Sequence, residues 1–432
     1  VVIVLPSTKQ HVSDAVICAS QAGIQVQAKG GGHSYASFST PSGGMMIDME
    51  NFQNVSVGSN GVATVGAGLR LGNMALAIYN QSNRALPHGD CPGVGIGGHA
   101  THGGYGYSSR AWGLALDTII GLDVVLANGT FIQTSRTSYP DIFWALRGAA
   151  DSFGVIINFY LQTQPAPSSV INFSYSIPKF YSSVSTAVSV FQHIQDFAQN
   201  GSVINRNIGF GLYMDGDDFS VDGTYFGDLG TFKSLIAPEL LRTLPSPSSS
   251  KVKTYSWIDS LNALGELGTL STPVHGYSAH DNFFASSVAV PQSSPLTAEA
   301  LTSYFTYIMQ GASTSWYSII DLYGGPDGQI NNKDTTFAAY SNRNSLWVAQ
   351  HYAYVSEGEF PDSGVSWIEG LNNAMTSQMS GVTFGKYLNY VDSTLSAQQA
   401  HDIYYGASMY GQLKALKNKV DPQNVFANPQ SI

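Results

Sequence analysis

Two hydrophobic periods alternate along this chain, and the elements they predict divide it. Val1 to Leu5 is an unbroken apolar run and reads as a buried strand. From Thr8 to Ala22 the period lengthens, and Val12, Ala15, Val16 and Ala19 fall on one face of a helix. Ile24 to Ala28 predicts a second strand. Met45 to Val65 reads as short strands turning at Gly58-Ser59-Asn60-Gly61, and Arg70 to Tyr79 as a helix. Thr118 to Leu126 and Thr130 to Thr134 flank Asn128-Gly129, a hairpin signal. Asp141 to Leu146 is a short helix, and Gly154 to Gln162 a strand. This βαβ-like opening followed by meanders suits a small α+β unit. Pro165 and Pro167 then mark a boundary.

Beyond it the texture becomes strands alternating with longer helices. Helices are expected at Ser182 to Gln199, Ala298 to Met309, Asp362 to Met379 and Tyr404 to Lys417. Strands are expected at Gly209 to Tyr213, Thr224 to Phe226, Tyr317 to Leu322 and Ser345 to Tyr354, with Leu244 to Ser250 as a loop. No internal repeat or low-complexity tract interrupts the pattern.

Composition narrows the partners. Charged residues are 11% of the 432, against about 25% in average usage. A net charge of −10 argues against nucleic acid and anionic membranes. No apolar run approaches the ~20 residues that span a bilayer. With few charges, 24 Tyr and 21 Phe suit an extracellular enzyme for a neutral, ring-containing substrate, although most aromatics fill the core. Five sequons, at Asn54, Asn80, Asn128, Asn172 and Asn200, lean the same way. The two cysteines, Cys18 and Cys91, could pair in a disulfide.

The chemistry concentrates in two glycine-rich segments. One is Lys29-Gly30-Gly31-Gly32-His33-Ser34-Tyr35, and the other runs from Gly89 through Cys91, Val94, Gly95 and Gly97 to Gly98. Each sets one nucleophilic side chain among residues without a Cβ, where backbone amides approach a ligand closely and can form an anion nest. Two other patterns overlap the second segment. Gly93-x-Gly95-x-x-Gly98, with Asp117 downstream, imitates a dinucleotide fingerprint, but a Rossmann turn must follow a hydrophobic strand and open a helix. His88, Cys91, His99 and His102 have zinc-like spacing in a run that is mostly glycine. No Gly-x-Ser-x-Gly elbow is present.

The two segments resemble the flavin-attachment loops of bicovalent FAD oxidases. These belong to the vanillyl-alcohol oxidase superfamily, in its berberine-bridge-like branch, which includes fungal oligosaccharide oxidases. The resemblance extends to Asp141–Gly148, Ser152-Phe153-Gly154-Val155, Asn389-Tyr390-Val391-Asp392 and the tail from Tyr404. Two departures are His102, where relatives often carry a third glycine, and Ala149-Ala150-Asp151, which is closer to fungal than to plant members.

The resemblance implies an α+β fold. A two-subdomain FAD-binding domain of the vanillyl-alcohol oxidase (PCMH) type would span 1–165, with a C-terminal return over 396–432. A substrate domain, a large antiparallel sheet flanked by helices, would span 166–395. FAD would be attached through His33 at the 8α-methyl and Cys91 at ring carbon 6. Lys29, Gly30, Gly31, Gly32, Ser34, Val94, Gly95, Gly97, Gly98, Gly154 and Val155 would line the cofactor, and no metal is expected. In plant relatives a small residue at the position of Val94 is associated with oxygen access, which favours an oxidase.

Tyr390 would act as general base. A phenol of pKa ~10 needs either a lowered pKa or an acceptor for its proton. Asp321 is the expected acceptor, with Asp392, two residues along the same supposed strand, a weaker choice. Tyr35, Tyr317, Gln350 and Tyr352 would meet substrate, Tyr317 by stacking on a sugar ring. In the family a segment precedes the position of Val1 and usually carries a cysteine paired to the one in the first helix. Cys18 is therefore expected to lack that partner here.

The expected function is a secreted, monomeric oxidase that turns the reducing-end anomeric hydroxyl of an oligosaccharide into a lactone while O2 becomes hydrogen peroxide. One alternative is the same scaffold acting on an aromatic alcohol or alkaloid. Another is a non-catalytic secreted carbohydrate-binding or zinc-stabilised protein.

Overall fold

The computed structural model describes residues 1–277 and 281–432. Its first unit opens with β1 (Val2–Val4), the helix Lys9–Gln21, β2 (Val26–Lys29) and β3 (Met45–Asp48), in a parallel sheet of order β1-β3-β2. Thr8 caps the helix by accepting from His11 N, and Val12, Ala15, Val16 and Ala19 are its buried face. β1 differs from its expectation. It is an edge strand, with Val1, Val2, Ile3 and Leu5 all about half exposed or more. An apolar run fixes extended backbone here but not two-sided burial.

An antiparallel sheet of order β4-β5-β9-β7-β8 follows, from β4 (Val55–Val57), β5 (Val62–Gly66), β7 (Ile119–Val125), β8 (Phe131–Ser135) and β9 (Val155–Gln162). β6 (Arg84–Ala85) pairs with β10 (Gln164–Pro165). The chain's end returns to this unit. Met409, Leu413, Leu416, Val425, Phe426 and Ile432 share its apolar core. Lys417 is buried there, its Nζ on Asp421, Ser152 O and Phe426 O at 2.6–2.8 Å. The terminal helix is two: Ala397–Tyr404 and Gly406–Val420 meet at Gly406, whose φ of 69° no continuous helix accommodates.

The second unit is one seven-stranded antiparallel sheet, order β14-β11-β13-β12-β16-β17-β15. Its strands are β11 (Val170–Ser176), β12 (Ile208–Met214), β13 (Phe219–Tyr225), β14 (Ser249–Tyr255), β15 (Asn282–Pro291), β16 (Ser315–Leu322) and β17 (Ser345–Val355). β13 starts five residues before the expected Thr224, and the loop expected to run to Ser250 gives way to β14 at Ser249. The helices Val184–Gln199, Ala298–Ile308 and Asp362–Thr376 cover one face, where Phe210, Leu212, Ile320, Leu322 and Ala349 are buried.

Period-2 alternation turns Gly211, Tyr213, Tyr317, Asp321, Gln350 and Tyr352 to the opposite face, toward the first unit. A tyrosine-rich cluster, including Tyr105, Tyr323, Tyr340, Tyr387 and Tyr404, fills the junction. Asn172, one of the five sequons, lies within β11 between two partner strands, its side chain bonded to Ser260 at 2.7 and 3.1 Å. A glycan there would have to displace the contact with Ser260. Among the described residues no helix is long and apolar enough to cross a membrane.

Candidate active site

The two glycine segments pack back to back. A Cβ on Gly31 would come 2.8 Å from Gly95 Cα, and one on Gly95 would come 2.7 Å from Gly31 Cα, so neither position admits a side chain. Arg70, at the start of the helix Leu71–Ser82, joins them by donating to the carbonyls of Gly31 (3.1 Å) and Gly93. β2 delivers the first loop, and its last residue, Lys29, is paired with Asp48 at 2.7 Å. Ser34 folds back to accept from Phe38 N at 3.0 Å. His33 is left exposed on the crest. Partial desolvation of its ring, with the nearby Arg70 guanidinium, holds the imidazole below its ordinary pKa, hence neutral at pH 7.

In the second loop the amides of Gly97 and Gly98 start the short helix Ile96–Thr101 and have no intrahelical partner, while open space surrounds the Cβ position of Gly98. Bare amides beside back-to-back glycines fit the diphosphate and flat ring of a flavin dinucleotide. Val94 binds backbone to Leu71 (2.8 Å) and turns its side chain to the first core. Gly154 and Val155 lie deeper: a Cβ on Gly154 would meet Val124 Cγ1 at 2.6 Å, and Val155 is fully buried.

Cys91 is half-buried and free, as is the exposed Cys18, so the two do not pair. The Cys91 Sγ donates to Glu266 Oε1 at 3.2 Å. Burial, with the neighbouring Glu266 and Asp90 carboxylates, pushes its thiol well above the ordinary range. The zinc-like quartet disperses: His88 Nδ1 faces Gly89 O, His99 accepts from Gly89 N, and His102 faces Asp151. Among the described residues no three His, Cys, Asp or Glu side chains converge as metal ligands. Asp117, the downstream acid of the dinucleotide-like spacing, is paired with Arg343 at 2.6 Å.

The opposite wall comes from the large sheet. Gln350 donates to the Tyr35 hydroxyl at 2.5 Å, and Tyr35 stacks on Tyr390 at 5.5 Å and 13°. Tyr352 approaches Tyr35 edge-on at 6.2 Å and donates to Asp281 at 2.9 Å. Loop 29–35, β17 and the 386–392 segment therefore meet at one point. Tyr317 departs from its expectation. Tyr213 on β12 and Tyr352 on β17 flank it at 5.9 and 4.8 Å, near parallel, so it offers its edge and hydroxyl rather than a free face. Phe283 continues the ladder beyond Tyr352 at 4.4 Å.

Tyr390 sits in a turn, not on a strand. Burial, Tyr35 and Asp321 raise its pKa well above 10 rather than lower it, so as a base it would need a proton acceptor. Asp392 is already engaged. Its carboxylate is taken up by Thr394 N and Oγ1 (3.1 and 2.6 Å), Ser286 Oγ (2.7 Å) and Lys386 Nζ (3.0 Å). Asp321 has no such partners among the described residues. It is buried opposite Gly211, where a Cβ would come 2.5 Å from its Oδ1. Burial first, then Asp90, raises its proton affinity well above that of an ordinary carboxylate. Desolvation of this kind makes the ionised group a stronger base.

Residues 1–135 match the FAD binding domain family, and residues 386–432 match the berberine and berberine-like family. A chitooligosaccharide oxidase from Gibberella zeae is 34% identical over 434 residues, all of this chain and 86% of that protein. The chain belongs to the berberine-bridge-like family of FAD-linked oxidases. A solved chitooligosaccharide oxidase superposes on this member with a TM-score of 0.94, covering 100% of this chain and 91% of that one at 34% identity. The glucooligosaccharide oxidase of Acremonium strictum, solved in work on the functional roles of its 6-S-cysteinyl, 8α-N1-histidyl FAD, gives 0.93 at 31% identity, covering 100% and 91%. Xylooligosaccharide oxidase from Myceliophthora thermophila, solved with xylobiose, gives 0.92 at 32% identity, again covering 100% and 91%.

Four site residues are not legible in the sequence. Glu266 and Arg70 reach the loops from 175 and up to 39 residues away. Tyr213 and Phe283 join through sheet pairing. The one available signal was Arg70 itself, a cation in a chain with only 19 Lys and Arg, placed just before a helix.

Proposed function

We propose that this protein is an oligosaccharide oxidase whose FAD is bonded to His33 and Cys91. The observation that carries the reading is that the two glycine loops bearing His33 and Cys91 pack back to back, and that Tyr35 of the first loop meets Tyr390 and Gln350 at the junction of the units. Bound FAD supplies a two-electron acceptor. The chain's own residues supply the rest. Gly31, Gly95, Gly97 and Gly98 leave room for the cofactor, and Arg70 locks the two loops together. Tyr390 takes the proton of the anomeric hydroxyl, and Asp321 takes it in turn. Tyr35 and Gln350 fix the orientation of the sugar, and the product is a lactone.

Dioxygen is the proposed final acceptor, yielding hydrogen peroxide. A secreted monomer is the proposed state, and the exposed Asn54, Asn80 and Asn128 are the sequons best placed for glycans. The test is acid precipitation of the purified protein, followed by a sugar panel read by peroxide release. A yellow pellet and activity on reducing oligosaccharides support the reading. A white pellet removes the covalent claim, and activity confined to benzylic alcohols removes the substrate class.

A further inference from the structure

Cys91 belongs to the first unit, but its thiol proton points at the second. Glu266, which accepts it at 3.2 Å, lies in a strap over residues 265–277 that leaves the helix Trp257–Leu264 and crosses the cofactor loop. The strap is seated by specific contacts. A Cβ on Gly72 would lie 2.8 Å from the carbonyl carbon of Leu270, so glycine is what admits the strap. Asn73 donates to Thr272 O at 3.0 Å and accepts from Thr272 N at 3.1 Å. Tyr277 fills the space beside Gly93, where a Cβ would come 2.6 Å from its Cζ, and carries the Arg70 guanidinium 4.3 Å above its ring.

The two flavin-bonding residues make different demands. A neutral imidazole already presents a lone pair. A thiol does not, because the thiolate is the nucleophile. Burial and the surrounding carboxylates keep Cys91 protonated. Sulfur therefore needs a proton acceptor, and among the described residues only Glu266 is hydrogen-bonded to the Cys91 side chain.

We propose that Glu266 is the general base for forming the Cys91–flavin bond, brought to the sulfur by a strap of the substrate domain. This rests on the bicovalent reading above. Glu266 takes the thiol proton while sulfur bonds to ring carbon 6. The hydrogen of that carbon leaves as a proton to water. The electron pair released passes to dioxygen, so thiol, ring C–H and O2 give the thioether and hydrogen peroxide. The sulfur bond therefore reports docking of the two units.

The test compares wild type with Glu266→Gln and Glu266→Asp by peptide mass mapping, trapping unlinked Cys91 with iodoacetamide. In Glu266→Gln, FAD stays on His33 while Cys91 is alkylated, because sulfur attachment at pH 7 slows on the order of 10²-fold. Incubation in air at pH 10 raises the linked fraction as hydroxide replaces the missing base, and Glu266→Asp recovers part of it at pH 7. Wild-type linkage in Glu266→Gln at neutral pH overturns the proposal. So does a lack of any rise at high pH, which would make Glu266 a packing residue. An unmodified Cys91 peptide in the wild type overturns the bicovalent reading instead, and this inference with it.

Discussion

Replacing Arg343 with Met should destabilise this protein by about 3–5 kcal/mol, the cost of stranding a buried carboxylate without its partner. Arg343 reaches from the second unit to Asp117 of the first, with Nη2 on Oδ1 at 2.6 Å and Nη1 on Oδ2 at 3.0 Å. Both side chains are about 5% exposed or less. Nη1 also donates to Ile330 O at 3.0 Å, and Asp117 accepts from Leu114 N at 2.9 Å. Asp117→Asn in the same chain keeps an acceptor for Leu114 and removes the stranded charge. The double variant should then lose only about 1–2 kcal/mol, chiefly the bond to Ile330. The double variant should thus be about 2–3 kcal/mol more stable than Arg343→Met alone. Over a chain of this length an unfolding entropy of roughly 0.9 kcal/mol/K makes the single variant melt about 3–5 °C lower. Thermal melts of wild type, both singles and the double, at matched flavin content, decide it. A single Arg343→Met melting within about 1 °C of wild type would refute the clasp. So would a double variant as unstable as the two singles summed.

Tyr390→Phe should lower kcat by about 10²–10⁴ with covalent flavin unchanged, because only the proton acceptor is lost; steady-state peroxide release checks this, and an active variant would move the base elsewhere. His351 is fully buried between Tyr304 (3.0 Å) and Asn372 (2.9 Å), and burial lowers its pKa from 6.5 to about 4. It stays neutral where the unfolded chain takes a proton, so the stability it permits above pH 6.5 is lost as pH falls toward 4, by about 3 kcal/mol. His99, lowered to about 3, adds in the same direction. Urea midpoints should therefore fall over that window, less steeply for His351→Gln; an unchanged slope would rule the histidine out. Gly31→Ala drives a methyl into the Gly95 backbone and should cost about 1–3 kcal/mol while lowering covalent flavin yield. Full flavin in the acid pellet and an unshifted melt would show that the loops part freely.

What the sequence could show is local. His33 and Cys91 are legible because each sits within its own glycine run, and the backbone contact of Gly31 with Gly95 explains why those runs carry no side chains. The helix Lys9–Gln21 is legible because its cap and its apolar stripe agree. Legibility fails where partners are chosen by pairing across the chain. No strand is expected over β15, yet it puts Phe283 beside Tyr352 and Ser286 on Asp392. The choice between Asp321 and Asp392 shows the limit most clearly. Both are acids near a tyrosine-bearing element, and in sequence Asp392 is much the nearer to Tyr390. In the fold Thr394, Ser286 and Lys386 consume Asp392, whose pKa is drawn below the ordinary carboxylate range even though burial opposes it. Asp321 sits opposite a glycine with its pKa driven upward. One carboxylate is thereby fixed as a structural anchor for the turn that carries Tyr390, and the other keeps oxygens unpaired among the described residues and a raised proton affinity, which is what the proposed relay asks of it. The same accounting separates the two flavin-bonding residues. The environment of His33 favours the neutral, nucleophilic form, whereas that of Cys91 opposes the thiolate, and that asymmetry is why a carboxylate on the far unit matters at all.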